Sequence, residues 1–241
     1  MSPATGQEKE QWWRVGSNQP ITLKEVRNHP WVEVFVRLAN DHLRTAGFTE
    51  HGQRHANLVS RIAHNVLARL KGDARASELA AIAGYLHDIG NVISRDHHGQ
   101  TGAVLAAQIL ADLKFPAEEV AAIVGAIGNH EEEYGEPVND VAAALILADK
   151  SDVHRSRVQA VNPQSSAQLD IHDRVNYAVE HSFLQVDEKA RTATLELTID
   201  VSICPVMEYF QIFLTRMVMC RAAAERLGVQ FGLVINGNRL L

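Results

Sequence analysis

Six residues of this 241-residue chain have the types and order to hold metal ions: His55, His87, Asp88, His98, His130 and Asp149. His87-Asp88 closes the run AAIAGYLHDIG (residues 80–90), where a wholly apolar helix ends in a strongly hydrophilic pair. A charged carboxylate at the inner end of a buried run costs roughly several kcal/mol unless it is paired or metal-bound. Asp88 therefore needs compensation. The other four candidates each fall at the end of an expected helix or on its apolar face, and helical bundles build metal sites from such inward side chains. Imidazole and carboxylate without thiolate suit Fe, Mn, Co, Ni or Zn. Six ligands exceed what one tetrahedral ion takes, so two divalent ions sharing a carboxylate is the economical reading. Taken singly, His55 reads as a hydrogen-bonded core histidine, His98 and His130 as loop or helix-end residues, and Asp149 as a cap or ion-pair partner.

The elements that must position these residues are legible in the hydrophobic pattern. Residues 1–20 are polar apart from Trp12-Trp13 and read as a loose arm with the tryptophans as packing anchors. Thr22 caps a short helix stopped by Pro30, and a second helix runs from Trp31 to about Ala46, ended by Gly47. Residues 53–71 form the clearest amphipathic segment, with Val59, Ile62, Val66 and Leu70 at three- and four-residue intervals. His55, four residues before Val59, lies on that inward stripe; His64, half a revolution away, faces water. Gly72 ends this helix and Ser77-Glu78 begins the central one. A polar loop, NVISRDHHGQ, leads to a helix from Thr101 to Leu113. Pro116 and Glu118-Glu119 start another that runs towards His130. Asn139 or Asp140 caps AAALILADK, apolar until Asp149. Residues 153–182 read as helical with an interruption at Asn162-Pro163.

The pattern then changes. Phe183–Asp187 and Ala193–Val201 read as strands joined by a turn. A long helix follows from Pro205 to Leu227, with Met207, Met217 and Met219 assigned to its core side. Val229–Ile235 reads as a last strand, and Asn236-Gly237 as a turn. The fold class is mainly α: an arm (1–20), a helical domain (21–182) and a small C-terminal α+β unit of ββαβ type (183–241).

Bulk properties restrict the partners. With 46% hydrophobic and 22% charged residues the composition is globular, and a net charge of −6 without a basic block argues against a nucleic-acid polymer as ligand. A phosphate-bearing small molecule would need metal ions or a few local arginines. Cys204 and Cys220 show no CxxC pattern and read as reduced, packed thiols. The N-terminal stretch lacks the basic start and apolar core of a secretion signal, and no apolar run reaches the ~20 residues of a membrane span. A soluble, cytoplasmic protein without membrane partners is expected; oligomerisation with itself is left open.

The order His55, His87-Asp88, Asp149 resembles the HD superfamily of metal-dependent phosphohydrolases over about residues 25–160, with LHDIG and LILADK as the specific strings. Two-metal members of that family add two histidines between HD and the last Asp, where His98 and His130 fall. HGQTGA (98–103), NHEEEYG and LADKSDVHRSR look like the compact branch that hydrolyses symmetrical diadenosine tetraphosphate. The resemblance implies one ion on His55, His87, Asp88 and Asp149, and a second on His98, His130 and a bridging Asp88. His97 is the neighbouring alternative to His98, which the string HGQTGA favours. Glu131 stands where the diadenosine branch commonly has Thr, and HDIGN and HEEEYGEP lack the Lys and Tyr-Pro of the cyclic di-GMP branch.

On this resemblance the protein hydrolyses a phosphate ester or anhydride of a nucleotide or small phosphorylated metabolite, with hydroxide generated on the ions as nucleophile. Asp88 and Lys150 are the catalytic candidates, and Arg54, Lys150 and Arg157 the substrate-binding ones. Glu131, Glu132 and Glu133 read as a solvated run, one of which could relay a proton. The competing functions are a catalytically silent nucleotide sensor signalling through the C-terminal unit, and a di-iron oxygenase of the same fold.

Overall fold

A computed structural model describes residues 20–159 and 170–241; Trp12-Trp13 and Asn162-Pro163 lie outside them. Among the described residues the chain forms α1 (Leu23–Arg27), α2 (Pro30–Thr45), α3 (Gln53–Lys71), α4 (Ala74–Leu86), a 3₁₀ turn (Ile89–Val92), α5 (His98–Asp112), α6 (Ala117–Gly128) and α7 (Asp140–Lys150). A second 3₁₀ turn (Arg155–Arg157) precedes α8 (Ile171–Ala178), β1 (Val179–Asp187), β2 (Thr192–Ile199), α9 (Val206–Arg226), β3 (Gln230–Ile235) and β4 (Asn238–Arg239). The expected mainly α fold with a small C-terminal α+β unit is what the chain adopts.

Helices α4 and α7 are apolar on nearly every face, and such helices must be surrounded. Leu79–Leu86 and Val141–Ala148 are buried throughout. Amphipathic α3 covers both with a buried stripe of Val59, Ala63, Val66 and Leu70; Ile62, expected on that stripe, is only half-buried and Ala63 takes its place. Close approach of α3 and α4 depends on Gly84: a Cβ there would lie 2.9 Å from the Ser60 backbone. Left-handed Gly72 (φ 66°) ends α3 as expected. The start of α4 is earlier than Ser77, because Asp73 caps it, its Oδ1 accepting from Arg75 N (2.9 Å) and Ala76 N (3.0 Å).

The sheet order is β1-β2-β3-β4, with β1 antiparallel to β2, β2 parallel to β3 across the α9 crossover, and β3 antiparallel to β4. Helix does not continue to residue 182: β1 begins at Val179. An irregularity in register between Val179 and His181 breaks the period-two alternation that marks a strand. Helix α9 packs on α7 through Tyr209, Phe213, Met217 and Cys220, so the core runs without interruption from the helical region into the C-terminal unit. Met217 and Met219 are buried as expected, whereas Met207 is 74% exposed in the first turn of α9. Cys204 and Cys220 are both buried and free, and burial raises their thiols to about 11 and about 12. No helix among the described residues is long and apolar enough to cross a membrane.

Candidate metal centre

All six candidate ligands converge at one end of the helical core. His55 sits in the first turn of α3, His87-Asp88 at the C-terminal end of α4, and Asp149 in the last turn of α7. His98 is the first residue of α5, and His130 follows the cap of α6. Helix α5 starts three residues before Thr101 because His97 takes the left-handed conformation (φ 56°) and turns the chain inward. His97 itself is exposed, its ring 4.5 Å from that of Tyr134, while His98 is buried. The turn after Asp88 and the start of α5 nearly touch: a Cβ on Gly90 would lie 2.0 Å from His98 O.

Each histidine has its Nδ1 engaged by an outer acceptor. His87 Nδ1 donates to Gly84 O (2.9 Å) and His130 Nδ1 to Ile127 O (2.6 Å). His55 Nδ1 meets Asp152 Oδ2 (2.7 Å), and His98 Nδ1 meets both Arg95 O and Glu131 Oε2 (2.9 Å each). Such outer partners fix the tautomer and aim the opposite nitrogen, as around ligating histidines. Here all four Nε2 atoms point into the cluster. His55 Nε2 lies 3.2 Å from His87 Nε2, and His98 Nε2 lies 3.1 Å from His130 Nε2.

Two neutral imidazoles so oriented place lone pair against lone pair, an arrangement that needs a cation. Two nitrogens each about 2.0–2.1 Å from a shared cation lie about 2.8–3.4 Å apart at angles between square and tetrahedral. Both contacts fall in that range. Asp88 stands between the two pairs. Its Oδ2 is 3.1 Å from His87 Nε2 and 3.5 Å from His55 Nε2, and its Oδ1 is 3.3 Å from His98 Nε2. Asn91 Nδ2 donates to Oδ1 (3.0 Å), whereas the buried Oδ2 accepts no hydrogen bond among the described residues. Asp149 Oδ1 closes the first group at 3.3 Å from His55 Nε2 and 3.6 Å from His87 Nε2. His55, His87 and Asp149 form one cluster of ligand geometry, and His87, Asp88 and His130 another. The donor set and its geometry fit divalent cations.

The electrostatics agree. Burial disfavours a charged His87, but Asp88 and Asp149 outweigh it and raise the ring to about 10. Burial together with neighbouring cationic groups, His98 first, lowers His130 to about 3, leaving a neutral donor. Burial would raise Asp88 and Asp149, yet their cationic neighbours hold both well below the usual carboxylate range. A proton on His87 thus supplies the positive charge that the carboxylates demand when no cation does.

A second layer surrounds these ligands. Lys150 is buried, its Nζ 2.9 Å from Asp149 Oδ2 and 2.6 Å from Glu132 Oε2. Glu132 Oε1 in turn accepts from Arg216 Nε of α9 (2.8 Å). The Arg216 guanidinium lies 4.5 Å over the Phe213 ring. The glutamate run is therefore not solvated: Glu131 and Glu132 are inside, and of the three only Glu133 is exposed. Arg54 and Arg157, read from sequence as substrate-binding, are engaged elsewhere. Arg54 forks onto Asp152 (2.8 and 3.3 Å), away from the cleft. Arg157 borders the cleft, but its guanidinium donates to Glu50 O and Asp152 O. Sequence reasoning passed over Asp152, Arg95, His51 and Arg216. Asp152, three residues after Asp149, carried a local signal; Arg216 carried none, because only the tertiary fold brings α9 to the cleft.

Residues 50–153 match the family model of the HD domain. The matched segment spans His55, His87-Asp88, His98, His130 and Asp149, and it supports metal-dependent phosphohydrolase chemistry in general. An uncharacterized protein of Methanocaldococcus jannaschii is 27% identical over 201 residues, covering 73% of this chain and 76% of its own length. That similarity extends beyond the HD segment and carries no assigned activity.

Proposed function

We propose that the protein is a dinuclear metal-dependent phosphohydrolase that cleaves a phosphate ester or anhydride of a nucleotide or another small phosphorylated metabolite. The observation that carries this reading is the pair of facing Nε2 contacts on either side of Asp88. On this reading His55, His87 and Asp149 would hold one cation and His98 and His130 the other, with Asp88 between the two groups as a further ligand. Divalent cations, when bound, polarise a phosphoryl group and acidify water so that it attacks phosphorus near neutral pH.

Charge supports a phosphate as the guest. The cleft is lined by four cationic side chains (Arg95, Lys150, Arg157 and Arg216) against five carboxylates (Asp88, Asp149 and Glu131–Glu133). Those side chains sum to one negative charge, which the proton on His87 offsets when no cation is bound; two divalent cations in place of that proton would make the sum three positive charges. Lys150 bridges Asp149 and Glu132, and so fixes the far oxygen of a ligand carboxylate rather than standing free for substrate. Burial would lower Lys150, but Asp149 and Glu132 outweigh it and keep it charged. Arg95 and Arg216 are better placed than Arg54 to meet non-bridging oxygens. Arg95 Nη1 stands 3.4 Å from His98 Nε2, and arginine provides charge-assisted donors for phosphate. His51 is buried on the cleft wall with Nδ1 donating to Thr49 O (2.7 Å), and burial lowers its pKa well below normal. Its ring is therefore neutral, and its Nε2 can accept a hydrogen bond in the cleft.

The test is elemental analysis of the purified protein, followed by reloading with Mn, Fe, Co, Ni or Zn and a screen of phosphate esters and anhydrides. Phosphate release that disappears together with metal in Asp88→Ala is the expected result. Turnover by a metal-free Asp88→Ala variant would overturn the reading. So would oxygen consumption without phosphate release.

A further inference from the structure

A sizeable cavity among the described residues lies outside the metal cleft. It occupies about 490 Å³ between α3 and β1, the edge strand of the sheet, and shares no lining residue with the cleft. Its helical wall is one face of α3, where Arg54, Arg61 and Arg69 recur with Leu58, Ile62 and Val66 between them. The opposite wall is strand β1, with Leu184 and Val186 buried and Phe183 exposed along it. Three arginines against Asp152, the one acid in the lining, give the space a positive balance. Asp152 is moreover occupied by His55 and Arg54. Arg61 and Arg69 are exposed, and Arg61 has no ion-pair partner among the described residues. Cationic heads along an apolar-walled cavity match a ligand with both an anionic group and an apolar body.

The same cavity touches the metal centre through a short chain of side chains. Arg54 Nη2 donates to Asp152 Oδ2 (2.8 Å), and the same oxygen receives His55 Nδ1 (2.7 Å). We propose that this cavity is a second ligand site, for a small molecule with an anionic group and an apolar or aromatic portion, and that its occupant acts on His55 through Arg54 and Asp152. An anion in the cavity competes with Asp152 for the Arg54 guanidinium. The Asp152 carboxylate is then left to His55 and to Arg157, whose Nε lies 3.8 Å from Oδ2, which changes how firmly the His55 ring is held toward the cluster. The second half of the proposal rests on the metal reading above; the first half does not.

The probe is 8-anilino-1-naphthalenesulfonate, an aromatic sulfonate whose fluorescence rises in apolar surroundings, titrated into the full chain after removal of metal with EDTA. Saturable binding is expected, weakened by about tenfold or more in Arg61→Glu/Arg69→Glu with an unchanged melting curve. The milder Arg61→Gln/Arg69→Gln pair shows a smaller loss. The uncharged N-phenyl-1-naphthylamine is expected to bind wild type and the charge-reversed variant alike. Equal sulfonate affinity in wild type and the charge-reversed variant overturns the site. Coupling is read as the Mn²⁺ affinity, by calorimetry, with and without saturating probe. A change of about threefold or more in wild type that vanishes in Arg54→Gln is expected. An unchanged Mn²⁺ affinity in wild type overturns the coupling. Failure of Mn²⁺ to bind at all refutes the metal reading and leaves the sulfonate result standing.

Discussion

The two halves of the metal cluster are built differently. His55, His87 and Asp149 project from the ends of α3, α4 and α7, the three helices that form the core, and the His55 ring is braced by a buried carboxylate, Asp152. Asp152 is itself held by Arg54, and by Arg157 through its carbonyl. His98 and His130 stand instead where α5 begins and after α6 ends, His98 braced by both Arg95 O and the Glu131 carboxylate and His130 by Ile127 O. A ligand on a packed helix can shift only if the core shifts, whereas one at a loop end moves with its loop. On the two-cation reading proposed above, the first half would anchor its ion and the second would be the more adjustable.

Breaking each half in turn separates them. His87→Ala or His55→Ala is expected to remove both ions and reduce turnover by roughly 10³-fold or more. His98→Ala or His130→Ala should leave one ion per chain, counted by elemental analysis, with a smaller residual activity. Loss of both ions from His98→Ala would erase the distinction. The braces come next. Asp152→Asn should weaken metal binding by about 10–100-fold, the range for an outer-layer partner. Glu131→Gln should cost about tenfold or less, because Arg95 O still receives His98 Nδ1. Isothermal titration of Mn²⁺ into both variants gives the order directly.

The smallest effect is on pH dependence. His87, raised to about 10 in the metal-free fold, contributes stability that is complete below about 6.5 and is lost as pH rises through 10. His130, lowered to about 3, acts with the opposite sign: the unfolded chain takes up its proton below about 6.5 while the fold does not, so acidification costs stability. The melting temperature of metal-free protein should therefore peak near neutrality and fall on both sides. Metal uptake at pH 7 should release the His87 proton, visible as a buffer-dependent heat. A melting temperature that climbs steadily from pH 7 to 9 without metal would contradict this assignment.

The contrast between the halves also explains what the sequence revealed. The stripe of α3 separated inward His55 from half-exposed His64, because helical period alone sets which face is buried. His98 rather than His97 depended on a left-handed residue that no periodicity announces. Glu131 and Glu132 read as a solvated run because three successive acids usually are one; their burial follows from partners on α5, α7 and α9. The start of β1 was hidden by its irregular register. Arg216 lay in a helix whose pattern promised only core, and no local signal links residue 216 to a histidine pair more than eighty positions away.

Arg216 carries a consequence for how such a protein diversifies. The HD match ends at residue 153, yet a wall of the cleft is supplied by α9, well past that point. The ligands and that wall therefore come from different parts of the chain. Substitutions along α9 can change what is admitted while every metal ligand stays in place, so two chains with the same six ligands can turn over different molecules.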